Sequence, residues 1–130
     1  MGTDIQKTLE RLGDHQHVSV ALPGTLAVSD YLGDTANDNG VPVEQSTLEN
    51  ATVNLQTSPN ASSTIQIENE TSGTTHSFDV SSTYHEETGI DLHFSEGDEL
   101  SVTVTSVGAT AAGGDGQVDL EFSRDEWPAN

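Results

Sequence analysis

The residues of this chain whose types could do chemistry are its histidines and its carboxylates. His15 and His17 stand two apart, and on a strand that spacing puts both side chains on one face, a workable geometry for two ligands of a metal ion. A third ligand must then come from elsewhere in the fold, and His76, His85 and His93 are too dispersed for spacing to nominate one. A surface or interface pair is the simpler reading. In an interface it makes assembly pH-sensitive, because free imidazole titrates at about pH 6.5. Asp30, Asp34 and Asp38 form a second candidate, a weak cation site. The loop 34–40 imitates a calcium loop only superficially: with Gly40 as its sixth residue, Thr35, Asn37 and Asn39 take the early ligand positions and Ser46 stands where a glutamate is needed. That stretch reads as a turn.

Catalysis has little to draw on. Carboxylates are so numerous that almost any fold brings two within the separation a glycosidase uses, so such a pair carries no information. There is no Gly-x-Ser-x-Gly elbow, and no glycine-rich phosphate loop with a lysine follows a strand. The expectation is a protein that is not an enzyme and needs no cofactor. Three glycosylation sequons, at Asn50, Asn60 and Asn69, are of the number that chance supplies in a chain rich in Asn, Ser and Thr.

Charge bounds the function further. The 130 residues hold 22 acidic side chains against Lys7, Arg11 and Arg124, a formal charge of −19. Such a chain repels itself in dilute buffer. At about 1 M ionic strength the Debye length falls to roughly 3 Å and surface carboxylates hardly sense one another. Disorder is the competing explanation for high charge with 32% hydrophobic residues, but the regular alternation described next opposes it and points to a folded protein of a high-salt environment. Three cations cannot neutralise a run of phosphates, so neither nucleic acid nor an anionic membrane is an expected partner. No apolar run approaches a membrane span, and the opening Met1–Gln6 has neither a basic leader nor an apolar core, so no secretory signal is expected. With no cysteine, disulfides and thiolate chemistry are absent.

The elements that must position these groups are strands. Leu100, Val102 and Val104 alternate with Ser101, Thr103 and Thr105, and Val118, Leu120 and Phe122 repeat the pattern, as in strands with one buried and one wet face. The glycine-rich stretch 113–116 reads as a hairpin connection between them. Further strands are expected at 17–22, 25–28, 41–44, 52–57, 64–68, 77–81 and 90–94, with turns at Pro23-Gly24, 37–40, 58–60, 71–73 and Gly97-Asp98. Many short strands without interleaved helices predict an all-β antiparallel β-sandwich of about eight strands, jelly-roll-like, over residues 17–123. Ahead of it, residues 1–16 form an arm in which Ile5, Leu9 and Leu12 fall at helical spacing. That short helix is either a docking arm or a piece packed on its own domain. The tail 124–130 carries the sole tryptophan, Trp127, which either tucks against the domain or anchors a neighbour.

The order of these pieces resembles a small β-sandwich domain found among virion proteins of tailed viruses, in fibre-like appendages and on head surfaces. The resemblance runs from Val18 to Phe122: an opening strand and turn (Val18–Gly24), the apolar-Pro-apolar segment Val41-Pro42-Val43, a strand ending in Thr57-Ser58-Pro59, the strand Thr64–Asn69, and the close Phe94–Gly108 followed by a glycine-rich loop and Val118–Phe122. Where that group commonly has a basic Asn-Gly hairpin, this chain has Glu70–Thr75. The acidic saturation resembles virion proteins of haloarchaeal viruses. The resemblance implies a multimeric particle component, made in the host cytoplasm and displayed on the virion surface as a capsid decoration, turret or fibre subunit, with other virion proteins as partners and no catalytic residue. The alternative is a carbohydrate-binding adhesion module of a halophile. Its contacts with a host glycan would fall to Tyr31, Tyr84 and Trp127, since Phe78, Phe94 and Phe122 have core parity.

Overall fold

The computed structural model describes residues 15–33, 40–58, 61–107 and 114–123. The arm with Ile5, Leu9 and Leu12, the candidates Asp34 and Asp38, and the tail with Trp127 lie outside them. Ten strands follow in order: β1 (His15–Thr25), β2 (Ser29–Leu32), β3 (Val41–Pro42), β4 (Ser46–Thr57), β5 (Ser63–Asn69), β6 (Thr74–Val80), β7 (Tyr84–Glu87), β8 (Leu92–Phe94), β9 (Glu99–Ser106) and β10 (Gly114–Ser123). All pairings are antiparallel.

Two sheets result. One has the order β1-β10-β4-β7, with β8 also on β4; the other has the order β2-β9-β5-β6, with β3 also on β9. β7 and β8 lie one after the other along one edge of β4, opposite Ala51–Asn54 and Ser46–Leu48. β2 and β3 share an edge of β9 in the same way. Counting each such pair once, the first sheet holds the first, eighth, third and sixth strands of the chain and the second sheet the second, seventh, fourth and fifth.

Alternation builds the core between the sheets. Val20 and Leu22, Val118, Leu120 and Phe122, and Leu48, Ala51, Val53 and Leu55 face inward from one sheet; Ile65, Ile67, Phe78, Val80, Leu100, Val102 and Val104 meet them from the other. A fully buried aliphatic side chain of this kind contributes about 1.5–3 kcal/mol. Phe94 and Phe122 meet edge to face, ring centres 5.7 Å apart.

Three expectations need correction. β9 and β10 do not form a hairpin: they belong to different sheets. Alternation fixes which face of a strand is buried, not which strand lies beside it. Pro23-Gly24 does not end the first strand either. β1 continues to Thr25 through a register shift between Leu22 and Thr25, where Gly24 takes φ +68° and its amide donates to Asp115 Oδ1 at 2.9 Å. This is a bulge, and the strand expected at 25–28 shifts to Ser29–Leu32. Finally, β4 begins six residues before the expected start, because a register shift between Glu121 and Phe122 on β10 lets Leu48 and Ala51 face the same core despite opposite parity.

Candidate functional site

A concave feature lies where the last strands of the two sheets come together. An open cleft of about 490 Å³ is lined by Asn69, Thr74 and His76 from the β5–β6 hairpin and by Asp91, His93 and Asp98 from the β8 region, over Ile90 and Leu92. Its frame is built by Asn69. This side chain is fully buried, and its Nδ2 donates to the His93 carbonyl at 3.1 Å and to Asp98 Oδ2 at 2.9 Å. Its Oδ1 accepts the amides of Thr71 and Ser72 at 3.0 and 3.2 Å, and the hairpin closes with Gly73 N donating to the Asn69 carbonyl. One amide side chain therefore ties the β5–β6 hairpin to β8 and to the β8–β9 connection between the sheets.

Asp98 answers from the other side. It accepts the Ser95 amide at 2.9 Å, and hydrogen bonds from Asn69 and Ser95 hold its carboxyl below the usual range against the opposing effect of burial. The Gly97-Asp98 turn expected from sequence is present, with Asp98 N donating to Ser95 O, but its side chain ties the cleft together as well.

Beside the cleft a three-residue clasp joins the sheets. Glu87 on β7 accepts His76 Nε2 of β6 at 2.8 Å on one oxygen and His85 Nε2 at 3.0 Å on the other. The His85 ring stacks on Phe78 of β6, ring centres 5.2 Å apart and tilted by 8°. Burial acts to raise the Glu87 pKa, but the two imidazole hydrogen bonds and the histidine charges outweigh it and leave the pKa lowered. The carboxylate spends both oxygens on the imidazoles. Among the described residues no cluster of three or more His, Cys, Asp or Glu side chains is arranged to hold a metal.

The candidates from sequence are scattered. His15 and His17 start β1, in register with Ser123 and Glu121, with β10 and β4 between them and β7; His17 is exposed. Asp30 accepts Thr103 Oγ1 at 2.9 Å. Tyr31 is half-buried against the core, and its hydroxyl accepts the Ala27 amide at 3.1 Å. Tyr84 is 54% exposed on β7. Thr47 Oγ1 and His93 Nδ1 sit 3.2 Å apart as cross-strand neighbours, but Thr47 is buried and out of reach of a substrate.

Sequence reading missed His76, Glu87, Asn69 and Asp98 as partners. Asn69 was visible only as a sequon, and the structure closes that sequon: its nitrogen is buried and donates twice. Asn50 Nδ2 is likewise engaged, by Glu121 Oε1 at 2.9 Å. No family model, no curated protein and no solved structure matches the chain.

Proposed function

We propose that this protein is a structural component of a virus particle: a capsid decoration, turret or fibre subunit displayed in many copies on a tailed virus of a salt-loving archaeon. The observation that carries the reading is a sandwich body with no lysine or arginine between residues 15 and 123. Its carboxylates are met instead by neutral donors: Ser19 on Asp119, Thr64 on Asp79, Ser101 on Glu70 and Ser123 on Glu49, each at 2.6–2.8 Å. Neutral donors hold a carboxylate in place without cancelling its charge, so the field must be screened by dissolved cations. We read the strand order as a jelly roll, eight strands in two Greek keys, an architecture used by viral capsid and lectin domains. The support is architecture and charge rather than a reacting group, and the particle role follows from that analogy and from the sequence resemblance.

The arm bearing Ile5, Leu9 and Leu12 attaches the subunit to the particle or to sister subunits, while the loops face brine, where many copies make weak host contacts useful. Mass spectrometry of purified virions, with imaging of the protein's position, tests the reading; absence from particles overturns it. Deleting residues 1–13 is expected to leave a folded sandwich that no longer joins particles. Lowering salt below about 0.5 M is expected to unfold the protein, read by far-UV circular dichroism.

A second reading, a carbohydrate-binding adhesion module, is favoured by the cleft, whose amide, imidazole, hydroxyl and carboxylate groups over an apolar floor suit a sugar. Against it, no tyrosine, tryptophan or phenylalanine among the described residues lines that cleft, and Tyr31 is half-buried against the core. A glycan screen in high salt without binding removes it.

A further inference from the structure

Edge strands carry unpaired backbone groups, and proteins guard them with charge, short length or a cover. The described edges of this sandwich mostly follow that rule. β6 carries Asp79, β2 carries Asp30, β7 carries Glu86 and Glu87, and β3 and β8 are only 2 and 3 residues long. β1 breaks it. Its 11 residues, HQHVSVALPGT, contain no ionisable acid in a chain of net charge −19. Among the described residues β1 pairs only with β10, and no described strand covers its other side. Val18 on its inner face is only half-buried against the core, and the outward Ser19 and Ala21 are small and exposed.

We propose that β1 is a self-association edge, pairing antiparallel within His17–Leu22 with the same strand of a second copy. Any register that keeps Val18 and Val20 facing inward joins the apolar layers of the two sandwiches and covers the remainder of Val18. The choice of a second copy follows from charge. Pairing through β6, β2 or β7 sets carboxylates of two strongly negative molecules against each other, whereas β1 against β1 sets none on the paired strands. The alternative cover, this chain's own residues 1–14, has its apolar residues at helical rather than alternating spacing, a sequence pattern that does not favour an added strand. The Pro23-Gly24 bulge limits the pairing to about five residues, so the contact falls short of the roughly 1,200 Å² of a stable interface. The dimer is therefore weak and concentration-dependent, suited to subunits held at high local density. The inference does not rest on the particle reading and is tested on the isolated protein.

The experiment takes the full chain in high salt and reads sedimentation together with backbone hydrogen exchange across a concentration series. A monomer–dimer equilibrium is expected, with amides of residues 17–22 exchanging more slowly as concentration rises. Ala21→Glu, at an exposed position, puts a carboxylate on the paired strand of each of two strongly negative copies, and is expected to weaken association about tenfold or more with an unchanged circular dichroism spectrum. Ser77→Glu, the same charge change on the exposed face of β6, is expected to leave association intact. A monomer at every concentration overturns the proposal. So does protection of residues 17–22 that ignores concentration, which would mean that the chain covers its own edge, and so does a dimer that survives Ala21→Glu.

Discussion

The two ends of the first sheet solve the same problem in different ways. At the β7–β8 end, polar side chains reach across to the other sheet: Asn69 spans two loops, and Glu87 draws in imidazoles from β6 and β7. At the β1 end the cross-strand bonds stay within one sheet, as in Ser19 to Asp119, and the outermost strand has no acid at all. A charged edge is closed by its own side chains and repels copies of itself. An uncharged edge next to an acidic β10 has no such guard.

Substitutions test the contrast. The largest effect is expected at the core beneath the cleft, where Phe94→Ala removes a fully buried ring that meets Phe122 and should cost about 3–5 kcal/mol in chemical denaturation in high salt. Next comes Asn69→Ala, which leaves the Thr71 and Ser72 amides without their side-chain acceptor and Asp98 with the Ser95 amide but without its Asn69 donor. A loss of about 2 kcal/mol is expected, with faster hydrogen exchange confined to the two cleft loops. Ser19→Ala, which removes a bond on the exposed face of β1, should change stability by no more than about 0.5 kcal/mol. An Asn69 variant as mild as the Ser19 variant would erase the distinction between the two ends.

Acid sharpens the contrast. The carboxyls of Glu87 and Asp98 both titrate below their ordinary values of 4.5 and 3.8 in the folded protein. Lowered folded values mean that their contribution is complete above those ordinary values and is lost as pH falls through the folded ones. Glu87→Gln is therefore expected to cost about 0.5 kcal/mol at neutral pH, since the site is partly exposed, and to flatten the decline of stability below about pH 4.5. Unfolding midpoints from pH 7 down to pH 3 read both effects.

Much of the body was legible because burial imposes period two. β5 and β9 fall within a residue of their expected bounds, since Ile65 and Ile67, and Leu100, Val102 and Val104, each line one face. β7 was invisible: Tyr84-His85-Glu86-Glu87 has no apolar alternation, and it is a strand because β4 offers it an edge and because His85 and Glu87 find Phe78 and His76 across the sheets. β2 was displaced by a bulge that local turn preferences describe equally well as a strand end. The clasp and the Asn69 bracket were illegible for a related reason, since no local period links residue 76 to residue 87 or residue 69 to residue 98.

Composition alone determined that this is an acidic chain without thiols, and its alternation determined that the body is made of strands with one apolar face. Those properties depend on side-chain type and on the two-residue repeat of an extended backbone, both local. Only the tertiary structure decided that the last two strands lie in opposite sheets, which edge is left uncharged, and which polar groups meet at the cleft. Neighbours across a sheet are chosen by how the whole set of apolar faces closes on one core, and no single segment carries that information.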